Sequence, residues 1–221
     1  YQKAIGFVQK ALELQEDENV LARLYTEIGA NYKLIGDFGK SLDYQEQAIR
    51  LLEGSEDKKA LAIAYFEKGS TLLSLKREGE DLIFLKKAHQ LFAALKDYPN
   101  QVNCYKEIAT SYSQFSAVSS QKGLLDSAVV YYEKAMTVVE KNLPLENPYI
   151  ASLLLDYGTA LASLQKFEAA ATAIDKGDAL VVKYYDAKSK EVFVANGAKA
   201  ELLKVQGKYD QALSFYQQQI I

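Results

Sequence analysis

Residues 22–53 read ARLYTEIGANYKLIGDFGKSLDYQEQAIRLLE, a stretch with two helical hydrophobic patterns on either side of a Gly-Asp pair. In the first pattern, residues recur at i, i+3, i+4 and i+7, which is one face of a helix. They are Tyr25, Ile28, Gly29 and Tyr32. Gly29 and, in the second pattern, Ala48 are small residues on otherwise bulky faces, so the helices can approach to about 8–10 Å between axes. The stretch predicts a closely packed helical hairpin.

This hairpin resembles a tetratricopeptide repeat. Its small residues, its aromatic residues and its turn glycine all lie at the spacings of that repeat motif. The second-helix part of the motif occurs six times, near residues 1–14, 38–53, 78–95, 125–141, 167–184 and 209–221. Small residues at equivalent positions of neighbouring units are at least 37 residues apart (Ala11 to Ala48) and at most 47 residues apart (Ala88 to Ala135). These spacings exceed the roughly 34 residues of a minimal repeat, so we expect helices longer by a turn or two. The resemblance implies an all-α fold, a right-handed α–α superhelix of about five to six helix pairs, formed as a single array over residues 1–221.

Two units depart from the repeat pattern. In the third, Asp81 occupies a position that is Ala or Ser in the others. A buried, unpaired carboxylate is costly, so we expect looser or locally shifted helix packing there. In the fourth, extra residues occur within AVSSQKG (117–123), and serine is a poor residue for helix interiors. We predict a longer helix that ends in a flexible loop.

Composition limits the partners. The chain has 26 Lys and Arg against 29 Asp and Glu, a net charge of −3, which argues against nucleic acid or an anionic membrane as the main partner. No apolar run approaches the roughly 18 residues of a membrane span, so we expect no direct membrane contact from this fragment. The sequence lacks an initiator Met and its first residues already have a second-helix pattern. We therefore interpret it as a fragment of a longer protein.

Residues for catalysis or metal binding are sparse. His89 and Cys104 are the only histidine and the only cysteine, and neither shares a register with a nucleophile or a carboxylate cluster. Their spacing matches no metal motif, and the glycines form no phosphate-binding loop. We expect His89 on the outer surface and Cys104 as a small buried hydrophobe. The sequence predicts no catalytic, metal or cofactor site.

In tetratricopeptide-repeat proteins the first helix of each pair lines a concave face, where a peptide or partner helix lies. The resemblance implies contact residues beside the packing positions of the first helices, including three lysines and an exposed phenylalanine. These candidates are Arg23, Thr26, Lys33, Phe66, Ser70, Lys106, Thr110, Gln114, Thr159, Glu201 and Lys204. Members that capture chaperone C-termini use a Lys and Asn set, which Thr26 and Ala30 replace here. Chaperone binding is therefore disfavoured.

The long repeats and the segment AKAELLKVQGKYDQALSFYQQQII (198–221) resemble repeat arrays of bacterial signalling proteins. The predicted function is a non-catalytic protein- or peptide-binding module, the sensory or regulatory region of such a protein. The alternative is a structural scaffold or assembly adaptor that joins protein partners. The last helix should leave apolar side chains uncovered and allow self-association through the C-terminal helix. These side chains are Leu213, Tyr216, Ile220 and Ile221.

Overall fold

The computed structural model describes residues 6, 17–77, 79–119, 121, 123–144 and 149–217. Those ranges contain ten α-helices and no β-strand. The helices are α1 Glu18–Leu34, α2 Phe38–Glu53, α3 Lys58–Ser74, α4 Glu80–Ala94, α5 Tyr98–Val118, α6 Leu124–Asn142, α7 Tyr149–Ser163, α8 Phe167–Tyr184, α9 Lys190–Val205 and α10 Tyr209–Gln217. The prediction of an all-α fold is confirmed. Apart from Gly6, the predicted second helix at 1–14 lies outside the described residues, as do Ile220 and Ile221.

The chain forms two compact units, residues 1–111 and residues 112–221, and the boundary falls inside α5. In the first unit α1 packs against α2, α3 packs against α4, and α3 also contacts α2 and α1. In the second unit α7 packs against α8 and α9 against α10, while α9 also contacts both α7 and α8. A first helix therefore contacts its own second helix and the first helix of the neighbouring pair.

Glycine permits the close approach of the two helices within a pair. A Cβ atom added at Gly29 of α1 would lie 3.1 Å from the Ser41 carbonyl oxygen of α2. At Gly158 of α7 it would lie 2.5 Å from Cγ1 of Ile174 in α8. A real Cβ essentially never lies as close as the second distance and rarely as close as the first, so at these crossings the backbone of one helix lies directly against the other.

The cores of both units are mostly aliphatic and alanine-rich, as the repeat pattern requires. In the first unit a buried cluster of three polar side chains also joins the first helix pair to the second. The hydroxyls of Ser41 and Thr71 are 3.1 Å apart, and Gln45 donates its amide to Thr71 at 2.8 Å. A hydrogen bond between buried polar groups offsets their desolvation. This contact orients α2 against α3.

The expectation of looser or locally shifted packing at Asp81 is wrong, although the helix there begins later than the other second helices. Gly79 has φ of +82° and α4 begins only at Glu80, one residue before Asp81. The Asp81 carboxylate is 1% exposed, and neither oxygen has a hydrogen-bond partner among the described residues. Leu85 nevertheless lies so close to Gly69 that an added Cβ there would be 2.7 Å from it. Gly69 thus meets Leu85, four residues after Asp81, as Gly29 meets Gln45, four residues after Ser41, so the two pairs cross in the same register.

Two other expectations concern α4 and α5. His89 was expected on the outer surface, which is wrong, because the residue is half-buried with its ring centroid 4.3 Å from that of Tyr105. The longer helix is present: α5 has 21 residues and ends at Val118. Of the predicted loop, Ser120 and Lys122 lie outside the described residues. No helix in the described part of the chain is both long and apolar enough to cross a bilayer.

Candidate functional site

A cleft of about 530 Å³ lies between α1 and α3 in the first unit. It is formed by two first helices, the class of helix that the sequence predicts to contact a partner. Its lining residues are Arg23, Thr26, Glu27, Ala30, Asp57, Lys59, Ala60, Ile63 and Glu67. Arg23 and Thr26 are the predicted contact residues among them.

The floor and one wall of this cleft are apolar. Ala30 of α1 and Ala60 of α3 have short side chains that leave space between the helices, and Ile63 is 37% exposed. The Thr26 hydroxyl donates to the Ala22 carbonyl at 2.9 Å within its own helix. Its proton is therefore already used, and the middle of the cleft is suited to an apolar side chain.

At one end of the cleft an ion pair joins α1 to the start of α3. Nη2 of Arg23 lies 2.5 Å from Oδ2 of Asp57. Asp57 also caps α3, because its Oδ1 accepts from the amide of Ala60 at 2.9 Å. The hydrogen bond from Arg23, followed by that from Ala60, lowers the pKa of the Asp57 carboxyl below its usual value. Beside this pair, Lys59 reaches Asp97 at 3.2 Å.

At the other end Lys33 is held by two partners on α3. Its Nζ donates to Oε2 of Glu67 at 2.7 Å and to Oγ of Ser70 at 3.2 Å. The Lys33 and Glu67 side chains are 18% and 20% exposed. Lys33 was predicted as a partner-contacting residue, and the structure pairs it with a residue of the next helix pair. Ser70 is close to the cleft through the same contact.

The remaining predicted residues do not gather in this cleft. Phe66 was expected to be exposed, but it is half-buried and packs against the core of the first unit. The hydroxyls of Thr110 and Thr159 donate to carbonyls of their own helices, those of Lys106 and Leu155. In the second unit, Gln114 is exposed, and Glu201 forms an ion pair with Lys204 at 2.6 Å.

Sequence reasoning missed most of the α3 side of the cleft. It selected Phe66 and Ser70, whereas the lining residues begin nearer the start of the helix, at Lys59, Ala60 and Ile63. A helical step of three or four residues taken back from Ser70 passes through Glu67 and Ile63 to Lys59 or Ala60. This periodicity could have identified the lining residues of α3 from the sequence. The position of Asp57 could have been inferred from its role as a helix cap.

The structure gives Cys104 a structural role. Its side chain is buried in the core of the first unit, and burial raises the pKa of the thiol far above its ordinary value. A thiol that stays protonated is a poor nucleophile. Among the described residues, no three His, Cys, Asp or Glu side chains are grouped so that they could hold a metal ion.

Comparison with known proteins supports the repeat assignment. Residues 22–51 match the family model of the tetratricopeptide repeat. The photosystem I assembly protein Ycf3 of Prochlorococcus marinus (strain MIT 9215) is 27% identical over 142 residues, which are 62% of this chain and 74% of that protein.

Two solved structures have a similar fold. Aspartyl phosphate phosphatase F from Bacillus subtilis superposes with a TM-score of 0.78 at 19% identity, covering 98% of this chain and 55% of that chain. The nearly identical TPR-like repeats of a Podosopora anserina kinesin light chain superpose with a TM-score of 0.68 at 15% identity. The match covers 92% of this chain and 95% of that chain. At these identities the likeness shows a common fold alone. Together with the family match over residues 22–51 and the paired helices, it shows an all-α helical-repeat fold of the tetratricopeptide-repeat kind.

Proposed function

We propose that this chain is a non-catalytic module that binds a protein or peptide segment, and that the cleft between α1 and α3 is its contact site in the first unit. The observation that carries the proposal is the open, apolar-floored cleft between two successive first helices. Repeat arrays of this kind commonly bind partners along their first helices. The cleft contains Arg23 and Thr26, two of the predicted contact residues.

A selection experiment tests this site. A displayed library of random dodecapeptides is selected on the wild-type chain, and the recovered clones are tested on Ile63→Glu, which places a charge in the apolar part of the cleft. The matched control is Ile83→Glu on α4, because Ile83 is also exposed (55%) but does not line the cleft. We expect clones that lose binding to Ile63→Glu and keep binding to Ile83→Glu. Equal binding of all clones to both variants would refute the proposed site.

Two roles are compatible with such a module. The sequence resemblance suggests the sensory or regulatory region of a bacterial signalling protein. The 27% identical cyanobacterial relative is named as an assembly protein, and this supports the alternative, a scaffold or assembly adaptor.

Hydrogen exchange with and without a cleft-binding peptide separates the two roles. A regulatory region should transmit binding, so exchange should also change in residues 112–217. An adaptor should show protection only around α1 and α3.

A further inference from the structure

Of the three carboxylates that line the cleft between α1 and α3, one is not neutralised by any residue that the structure describes. Glu27 is exposed on α1, and its carboxylate forms no ion pair with any described residue. The other two lining carboxylates are paired, Asp57 with Arg23 and Glu67 with Lys33. An occupant of the cleft therefore meets one unmatched negative charge.

The two basic residues that line the cleft are each paired with an aspartate and not with Glu27. Arg23 lies four residues before Glu27, the spacing at which a helix normally pairs opposite charges. Its guanidinium is instead 2.5 Å from Asp57 at the start of α3. Lys59, the other basic lining residue, is 3.2 Å from Asp97. In the part of the chain that the structure describes, these contacts between repeats leave Glu27 without an ion pair.

Glu27 also lies close to the apolar part of the cleft. Ala30 follows it by three residues on the same helix, so the two positions share a face and are separated by about 4.5 Å along the axis. Ala60 and Ile63 face this region from α3. The cleft therefore combines an apolar floor with an acidic edge about one helical turn away.

We infer that the segment bound in this cleft is basic and apolar: it places an aliphatic or aromatic side chain against Ala30, Ala60 and Ile63, and a lysine or arginine against Glu27. This inference rests on the proposed function and specifies its ligand. An acidic segment is disfavoured, because it would meet the unmatched charge of Glu27 while the cations at both ends of the cleft are already paired.

The displayed dodecapeptide library tests the inference when it is selected separately on the wild type and on Glu27→Lys. Clones that depend on the cleft are those lost on Ile63→Glu, or on Ala30→Gln if the first variant does not fold. On the wild type they should be enriched in Lys and Arg over Asp and Glu, beside an apolar residue. On Glu27→Lys the charge preference should reverse. Asp43→Lys, which changes an exposed carboxylate of α2 outside the cleft, should keep the wild-type preference.

Synthetic, fluorescein-labelled copies of the basic clones provide the affinity. Glu27→Gln should weaken their binding roughly three-fold, as expected for a partly exposed ion pair. Cleft-dependent clones without a basic preference, or with a preference that Glu27→Lys leaves unchanged, would overturn this inference while the proposed binding site stands. The absence of any cleft-dependent clone would overturn both.

Discussion

Arg23 of α1 and Asp57 at the start of α3 form an ion pair, 2.5 Å between Nη2 and Oδ2, that connects two successive helix pairs. The same two residues line the cleft between α1 and α3 and a second cleft of about 690 Å³ near the end of α2. The ion pair therefore separates the two clefts. Because Asp57 also caps α3, its position is determined by the backbone of that helix as well as by Arg23.

We predict that this ion pair loses its effect in acid. The hydrogen bond from Arg23 is the first cause of the lowered pKa of Asp57. A carboxyl group with a lowered pKa in the folded state stabilises the fold above its unfolded value, near 3.9, and this contribution disappears as the pH falls through the folded value. Arg23→Gln and Asp57→Asn should therefore show a favourable coupling in a double-mutant cycle at pH 7.

Urea unfolding of the wild type, the two single variants and the double variant at pH 7 and at pH 3 measures this coupling. Asparagine can still cap the helix, so Asp57→Asn removes the charge and keeps the cap. The coupling should be smaller at pH 3. A coupling that is the same at both pH values would show that the Asp57 charge is not its source.

We predict that Gly158→Ala destabilises the second unit. The added Cβ would lie 2.5 Å from Ile174 Cγ1, so α7 and α8 must move apart. Overpacking of this kind typically costs about 1–3 kcal/mol. Gly54→Ala is the matched control, because Gly54 has φ of −86° and nothing lies within 4 Å of its Cβ position. Thermal unfolding followed by circular dichroism measures the melting temperatures of the two variants. Equal values would contradict the close crossing of α7 and α8.

We predict that Asp81→Ala stabilises the first unit. Its carboxylate is 1% exposed with no hydrogen-bond partner among the described residues, and removing such a group should gain about 1–3 kcal/mol. Asp126→Ala is the control, since Asp126 is an exposed acidic residue in the first turn of α6, which also follows a glycine with positive φ. That change should cost about 0.3–1 kcal/mol through the helix dipole. Denaturant unfolding should therefore show a higher free energy of unfolding for Asp81→Ala and a lower one for Asp126→Ala. A lower value for Asp81→Ala would mean that its carboxylate has a hydrogen-bond partner in the folded protein.

We predict self-association through α10. Leu213 is 53% exposed on this helix, and burying such a side chain is worth about 1.5–3 kcal/mol. Light scattering across a concentration series should show a mass that rises for the wild type and stays monomeric for Leu213→Glu. Val182→Glu on α8 changes another exposed apolar residue of the second unit (72% exposed) and should behave like the wild type. A monomeric wild type at all concentrations would contradict the prediction.

The helical class of the chain and the small residues at the helix crossings were readable from local sequence. Gly29 lies on one face with Tyr25 and Tyr32 because side chains three and four apart share a helix face, and this periodicity needs no knowledge of other helices. The turn at Gly36 was equally local, since its φ of +83° is a conformation that favours glycine. Periodicity therefore predicts which residues face another helix.

The state of the charged and aromatic side chains on those faces depended on contacts between helices. Lys33 and Arg23 each pair with a residue 34 positions further along, Glu67 and Asp57. Phe66 and His89 were expected at the surface but pack against the core and against Tyr105. A helical pattern reports the direction of a side chain from its own axis and carries no information on what the neighbouring helix places opposite it. The pairing that leaves Glu27 without an ion pair among the described residues is therefore a property of the packed helices.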